Sequence, residues 1–160
     1  MNSKPKQIEA KIIGEKGCYF LSIVNGVSRY FEEEHGKPLK VDIIDLYEVA
    51  TDEGWVSSDC FVERPDLIAG YLLGVELDSL KNAFITGREL YEVKIAKRPL
   101  EYTPKNNEIE ITRYEKESTG VTFSHFVETR DGEVIYDPYG NSSTVSKGKA
   151  VSKRILTMNI

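Results

Sequence analysis

The sequence predicts an α+β fold in which helices come first and an antiparallel sheet follows. In the first half, apolar residues recur at three- and four-residue steps, the spacing of one helical face. In the second half, four stretches have strand composition and partial alternation of apolar and polar residues. Asp131-Gly132 stands between two of them and favours a tight turn. This order indicates two segregated lobes of one domain that spans residues 1–160.

The first long helix is predicted over residues 17–36. Cys18 lies at or near its start, and Gly36 and Pro38 are expected to end it. The N-terminal ten residues are expected to form a tail or a short edge strand. One apolar stripe defines the helix and comprises Phe20, Ile23, Val24, Val27, Tyr30 and Phe31.

Two further helices follow in the first half of the chain. Residues 40–56 are expected to be helical, with Asp42 as the N-cap. Residues 63–75 are expected to form a short helix, with Pro65 in its first turn and Gly74 near its end.

The middle of the chain is ambiguous, and the sheet comes after it. Residues 79–87 have a helical composition and residues 89–97 have the composition of a strand. Four later segments are predicted to be strands: 107–115, 121–130, 132–140 and 152–160.

Composition and charge narrow the classes of function. The 160 residues carry 21 basic and 26 acidic side chains, a net charge of −5, which argues against nucleic-acid binding because that role needs a basic face. No apolar run approaches the roughly 20 residues that span a membrane, and the N-terminus lacks the apolar core of a signal peptide. We therefore expect a cytoplasmic protein without membrane insertion. The sequence leaves the oligomeric state open.

The cysteines and histidines show no spacing typical of a metal site. Cys18 and Cys60 are too few for a disulfide framework, and the two histidines lie far from each other in the sequence. We expect free thiols, no metal and no cofactor.

The predicted hairpin carries a histidine and a carboxylate. Alternation along 121–130 places His125 on a face with apolar residues. If the chain turns tightly at Asp131-Gly132, His125 and Asp137 come close to cross-strand register, with an adjustment such as a bulge. A carboxylate beside an imidazole fixes its tautomer and stabilises its charged form. The two residues therefore form half of a candidate nucleophilic site.

Cys18 is the candidate nucleophile of this site. At a helix N-terminus, the helix dipole and a nearby imidazolium both favour the thiolate. Gly17 would let the backbone approach a substrate closely, and the N–H of Cys18 would point toward a developing oxyanion. In this hypothesis Cys18 attacks, His125 is the general base and then the acid, and Asp137 orients His125.

Each of these residues also has a structural interpretation. A cysteine on a helix face is often a small core residue, and a histidine in a strand is often a hydrogen-bonded core residue. Asp137 before a proline is often a turn residue. Cys60 is expected to be packed between helices, with a second reactive thiol as the alternative. Trp55 is expected either to line a substrate groove or to anchor the core.

Taken together, the three motifs resemble the papain-like cysteine peptidase clan. They are Gly17-Cys18-Tyr19-Phe20, Ser124-His125-Phe126-Val127 and Tyr136-Asp137-Pro138-Tyr139-Gly140. The similarity is to small bacterial members, both the bacteriocin-processing peptidase domains and single-domain proteins associated with bacteria and phages. The resemblance implies a helical part that carries the cysteine and an antiparallel sheet that carries histidine and aspartate. It also implies cleavage of an amide bond through an acyl-enzyme.

The sequence departs from this family at the oxyanion hole. The family commonly has a glutamine about six residues before the cysteine, where this chain has Ile12. Either Gln7 or a backbone N–H substitutes for it, or the enzyme is weak or inactive. Loss of one oxyanion donor typically costs on the order of a hundred- to a thousandfold in rate.

Three functions are weighed on these observations. The first is a cysteine peptidase or amidase that acts on a peptide, a cell-wall crosslink or a small amide. The second is a catalytically inactive binding module on the same fold, which the missing glutamine favours and the retained cysteine, histidine and aspartate oppose. The third is a structural protein of a mobile element in which the three motifs match by chance.

Overall fold

The chain forms five helices and five strands within the residues that a computed structural model describes, which are 6–37, 39, 41–81 and 92–158. The helices are α1 (Lys6–Lys16), α2 (Cys18–His35), α3 (Ile43–Asp52), α4 (Pro65–Lys81) and the short α5 (Ser143–Ser146). The strands are β1 (Val93–Arg98), β2 (Glu108–Ser118), β3 (Val121–Arg130), β4 (Glu133–Tyr136) and β5 (Lys149–Met158).

The predicted α+β class is confirmed. Four helices precede a single five-stranded sheet, in which the strands run in the order β1-β5-β2-β3-β4 and every neighbouring pair is antiparallel. Within the described residues, no helix combines the length and the apolar character needed to cross a lipid bilayer.

The C-terminal end of α2 and the N-terminal cap of α3 agree with the sequence analysis, whereas α3 ends at Asp52, four residues before the predicted end. Gly36 follows α2 in a left-handed conformation and donates its N–H to the carbonyl of Glu32. The side chain of Asp42 caps α3 by accepting hydrogen bonds from the N–H groups of Ile44 and Asp45.

Two helices differ from expectation. For residues 6–10, the described part of the N-terminal ten, the expected tail or edge strand is wrong, because α1 begins at Lys6. The inward face of α1 carries buried Glu9 as well as Ile13, and a charged residue in that position hides the apolar period. Helix α4 continues through Gly74 to Lys81 because Gly74 keeps a helical rather than a left-handed backbone. Residues 82–91, part of the ambiguous segment, lie outside the described residues, and the later part of that segment forms β1 (Val93–Arg98) as its composition indicated.

Helix α2 packs across one face of the sheet and supplies much of the core. Gly26 brings its backbone close to β2, since an added Cβ would lie 2.7 Å from Cγ2 of Ile109. Next to this contact, buried Glu128 of β3 accepts hydrogen bonds from Asn25 and Arg29 of α2, each at 2.7 Å. These charge-assisted bonds fix the rotation of α2 against β3.

The hairpin between β3 and β4 has the predicted turn. Asp131 and Gly132 both have positive φ angles, 51° and 87°, and the N–H of Gly132 donates to Oε2 of buried Glu110 at 2.9 Å. A register shift follows at Glu128/Thr129, and β4 pairs with only the last part of β3. The first part of β3 therefore presents an edge that β4 does not cover.

Replacing Gly26 by alanine should destabilise the protein. We expect a loss of about 1–3 kcal/mol in the free energy of unfolding, because the new methyl group overpacks the contact with Ile109. Gly14 of α1 is the matched control, since an added Cβ there meets nothing within 4 Å. Gly14→Ala should raise the free energy of unfolding by about 0.5–1 kcal/mol through helix propensity. Urea denaturation followed by circular dichroism measures both, and equal effects of the two substitutions would contradict close packing of α2.

Candidate active site

Cys18 is the first residue of α2 and follows α1 after a single intervening residue. That residue is Gly17, which donates its N–H to the carbonyl of Ile13 at 2.8 Å. A Cβ at Gly17 would lie 2.4 Å from the same carbonyl oxygen, so a larger residue does not fit between the helices. Gly17 thus places the thiol at the positive end of the α2 dipole, which favours an anionic sulfur.

The start of α2 docks on the uncovered edge of β3. The backbone N–H of Phe126 donates to the sulfur of Cys18, and the Ser22 hydroxyl donates to the carbonyl oxygen of Phe126 at 3.1 Å. The ring of Tyr19 stacks on the ring of Phe126 with centroids 4.3 Å apart. Both backbone groups of Phe126 are therefore satisfied by α2 instead of by a further strand.

His125 is held between a carboxylate and the thiol. Its side chain is only 1% exposed, and its Nε2 lies 2.7 Å from Oδ1 of Asp137. Its Nδ1 is buried without a nitrogen or oxygen partner, and the ring is within hydrogen-bonding reach of the Cys18 thiol. Because Asp137 engages Nε2, Nδ1 is the nitrogen available to the sulfur.

Asp137 also organises the turn that follows β4. Its Oδ1 accepts a hydrogen bond from the N–H of Tyr139 at 2.9 Å, and its Oδ2 accepts one from the N–H of Ser142 at 3.2 Å. Its carbonyl accepts from the N–H of Gly140 at 2.9 Å. The two interpretations of Asp137, turn residue and histidine partner, both describe this arrangement.

The surroundings of Cys18 favour the thiolate. Burial alone would raise the pKa of the thiol, but the His125 ring, the Phe126 N–H and the Tyr19 N–H together lower it below its usual value. For His125, burial opposes the charged form, yet the contacts with Cys18 and Asp137 raise the pKa of the imidazole. The opposite directions of the two pKa shifts both favour a thiolate–imidazolium pair, which would combine a nucleophile with a proton donor.

Tyr139 closes the site over the histidine, and sequence reasoning gave it no role. Its ring stacks on the ring of His125, with centroids 4.5 Å apart and planes 17° from parallel. Its hydroxyl donates to the carbonyl oxygen of Glu15 at 2.6 Å and is also within hydrogen-bonding reach of the Cys18 sulfur. Burial and the nearby sulfur raise the pKa of Tyr139 to about 12. Its position two residues after Asp137 is the only signal the sequence offered.

Cys60 is buried, and its environment differs from that of Cys18. Its backbone lies in the loop between Val56 and Val62, which form an isolated β-bridge, and its side chain belongs to the buried core. Burial, with the electrostatic influence of Cys18 and Asp59, raises the pKa of the Cys60 thiol to about 12. This thiol is therefore protonated at neutral pH and is a poor nucleophile.

Gln7 lies away from the thiol along α1, and Trp55 belongs to the core. Gln7 is exposed in the first turn of α1, about 13 Å along the helix axis from its last residue at 1.5 Å per residue. Trp55 is 8% exposed and packs in the core, edge to face with Tyr71. Ile12 is half-buried against the core. In the described part of the chain, no three His, Cys, Asp or Glu side chains are grouped to hold a metal ion.

Comparison with known proteins identifies a family without assigning an activity. The profile of the family described as "Protein of unknown function, DUF261" matches residues 2–158. The chain belongs to the DUF261 family. Neither the curated proteins nor the solved structures contain a match. For this DUF261 protein, the chemistry of the site is therefore argued from its own geometry.

In this DUF261 protein, Cys18 should react with iodoacetamide at pH 6 much faster than Cys60. The thiolate is the reactive form, and the pKa of Cys18 is lowered whereas that of Cys60 is raised to about 12. Alkylation of Cys18 should slow as the pH falls through its own pKa, because the sulfur is then protonated. Timed alkylation read by peptide mass spectrometry follows both thiols in one sample.

The histidine supplies the control for this experiment. His125→Ala removes the positive partner and should slow alkylation of Cys18 at pH 6 by about tenfold or more. An ordinary thiol has a pKa of about 8.5. A Cys18 profile that rises only near that pH, in both proteins, would contradict the pair.

Asp137→Asn should lower the pKa of His125. The asparagine oxygen keeps one of the two side-chain acceptors that hold the turn, while the negative charge beside the imidazolium is lost. NMR titration of the two histidines measures this directly, with His35 outside the site as the internal control. Unchanged titration of His125 would show that Asp137 acts on the turn alone.

Proposed function

We propose that this protein is a papain-like cysteine hydrolase that cleaves a peptide or another amide. The observation that supports this most is the buried imidazole of His125, whose Nε2 is taken by Asp137 and whose other nitrogen is left to Cys18. A cysteine on the first turn of a helix and a histidine–aspartate pair on an antiparallel sheet are also what the papain-like resemblance implies.

The reaction begins with the thiolate of Cys18. The sulfur attacks the carbonyl carbon of the scissile amide, a carbon–sulfur bond forms, and the electron pair of the C=O bond moves to oxygen. When this intermediate collapses, the carbon–nitrogen bond breaks and imidazolium His125 gives its proton to the leaving amine. The acyl group stays on Cys18 as a thioester.

Water completes the cycle. Neutral His125 takes a proton from a water molecule, which attacks the thioester carbon. The carbon–sulfur bond then breaks, the carboxylic acid leaves, and the sulfur departs as the thiolate beside imidazolium His125. Asp137 stabilises the imidazolium and holds the ring so that Nδ1 faces the sulfur through both halves of the reaction.

A catalytically inactive binding module on the same fold is the second candidate. The observation that favours it is Ile12, an apolar residue packed against the core where the papain-like family has its oxyanion glutamine. The shifted pKa values of Cys18 and His125 oppose it, since binding alone requires no activated thiolate.

Cys18 should become acylated by p-nitrophenyl acetate and release p-nitrophenolate in a burst equal to one acyl group per chain. Cys18→Ala should abolish both the burst and the acetyl group found on the Cys18 peptide, because the nucleophile is gone. Cys60→Ala is the matched control and should leave both unchanged. Absorbance of p-nitrophenolate and peptide mass spectrometry measure the two quantities.

Incubation with a peptide mixture tests the hydrolase itself. New peptide termini should form with the wild-type protein and not with Cys18→Ala. If Cys18 acquires no acetyl group and the peptide mixture stays intact, the binding module replaces the hydrolase.

A further inference from the structure

Neither Ile12 nor Gln7 supplies a side-chain amide beside the thiol of Cys18. Ile12 is apolar, and Gln7 is exposed at the far end of α1. Among the described backbone groups, no carbonyl accepts a hydrogen bond from the N–H of Cys18, so this donor is available to a substrate oxygen. Acyl transfer in this fold needs a second donor at about 3 Å from the oxyanion.

The hydroxyl of Tyr139 reaches this position, and Tyr139 is fixed at three points. Its backbone N–H is bound to Oδ1 of Asp137, its ring lies flat on His125, and its hydroxyl is bound to the carbonyl oxygen of Glu15. Glu15 precedes Cys18 by three residues, so this bond holds the hydroxyl beside the start of α2. The same hydroxyl is within hydrogen-bonding reach of the sulfur.

We propose that the Tyr139 hydroxyl donates the side-chain hydrogen bond to the oxyanion that forms when Cys18 attacks a carbonyl. This inference rests on the proposed hydrolase and names the group that replaces the glutamine. The backbone N–H of Cys18 is the second donor.

The geometry places the hydroxyl within reach of the developing charge. A carbonyl carbon bonded to the sulfur carries its oxygen one bond further away, and a donor that reaches the sulfur reaches that oxygen after a small rotation. The hydroxyl would then donate its hydrogen bond to the anionic oxygen instead of to the neutral carbonyl of Glu15. Hydrogen bonds to charged acceptors are roughly twice as strong as neutral ones. The hydroxyl therefore stabilises the transition state more than the bound substrate, which lowers the barrier to acylation.

The protonation state of Tyr139 is the one that a hydrogen-bond donor requires. Burial and the nearby sulfur raise its pKa to about 12, so the phenol keeps its proton at neutral pH. A phenol that stays neutral can donate to an oxyanion and does not compete with His125 for the transferred proton.

Comparing two reactions at the Cys18 sulfur distinguishes a Tyr139 hydroxyl that binds the oxyanion from one that acts on the thiolate–imidazolium pair or on the position of α1. Acylation by p-nitrophenyl acetate passes through an oxyanion, because the sulfur adds to a carbonyl before p-nitrophenolate leaves. Alkylation by iodoacetamide displaces iodide from a saturated carbon and develops no oxyanion. Alkylation therefore reports the thiolate and the intact His125 pair, and the ratio of the two rates reports the oxyanion donor.

Tyr139→Phe keeps the ring on His125 and removes only the hydroxyl. We expect its acylation rate to fall on the order of a hundredfold, the lower end for one oxyanion donor, while the alkylation rate of Cys18 changes less than about twofold. Tyr102→Phe is the control for loss of a hydroxyl elsewhere, since Tyr102 donates to Glu108 outside the site. It should change neither rate.

Each other outcome overturns the proposal. Equal losses in both rates would mean that the hydroxyl acts on the thiolate–imidazolium pair or on the position of α1. No loss in either rate would remove the hydroxyl from the reaction. If wild-type Cys18 itself alkylates as an ordinary thiol, the proposed hydrolase fails first, which the same data distinguish because that failure appears without any substitution.

Discussion

The docking of α2 on the open edge of β3 is the contact on which the candidate site depends. Strand β4 is short and leaves the backbone of Phe126 unpaired on one side. The sulfur of Cys18 accepts a hydrogen bond from the N–H of Phe126, and the hydroxyl of Ser22 donates one to its carbonyl oxygen. These two side chains take the place of a longer β4. The sulfur thus replaces a strand in the ladder, one residue from His125. Burial of Glu128 against Asn25 and Arg29 secures the same interface further along the helix.

This arrangement explains why a buried histidine can carry a raised pKa. Burial normally favours the neutral imidazole, but here both neighbours are acids that gain from its charge. The sheet supplies rigid positions for His125 and the turn supplies Asp137, so the pair is preorganised without a substrate. The stacked ring of Tyr139 covers the same histidine. The start of α2, β3 and the turn after β4 thus build one site from residues more than a hundred positions apart.

Local signals in the sequence predicted most of this fold. The stripe of α2, the cap at Asp42 and the turn at Asp131-Gly132 depend on neighbouring residues, and all three are confirmed. The proximity of His125 to Asp137 also follows from the predicted hairpin, together with a register shift at Glu128/Thr129. Helix α1 was missed because a buried charge broke its pattern.

The missed features of the site share a physical reason. The bond from Tyr139 to the carbonyl of Glu15 joins residues that only tertiary packing brings together, and a backbone acceptor leaves no trace in the sequence. Trp55 could not be assigned because an isolated aromatic residue fits a core and a groove equally well. The catalytic roles of Cys18, His125 and Asp137 stay a prediction.

The double use of Asp137 has an evolutionary consequence. Its carboxylate ties the turn through the N–H groups of Tyr139 and Ser142 as well as holding the histidine, so selection for folding alone preserves it. A lineage that lost the chemistry would therefore keep the Asp-Pro turn. When related sequences are compared, an aspartate at this position does not by itself indicate an active site.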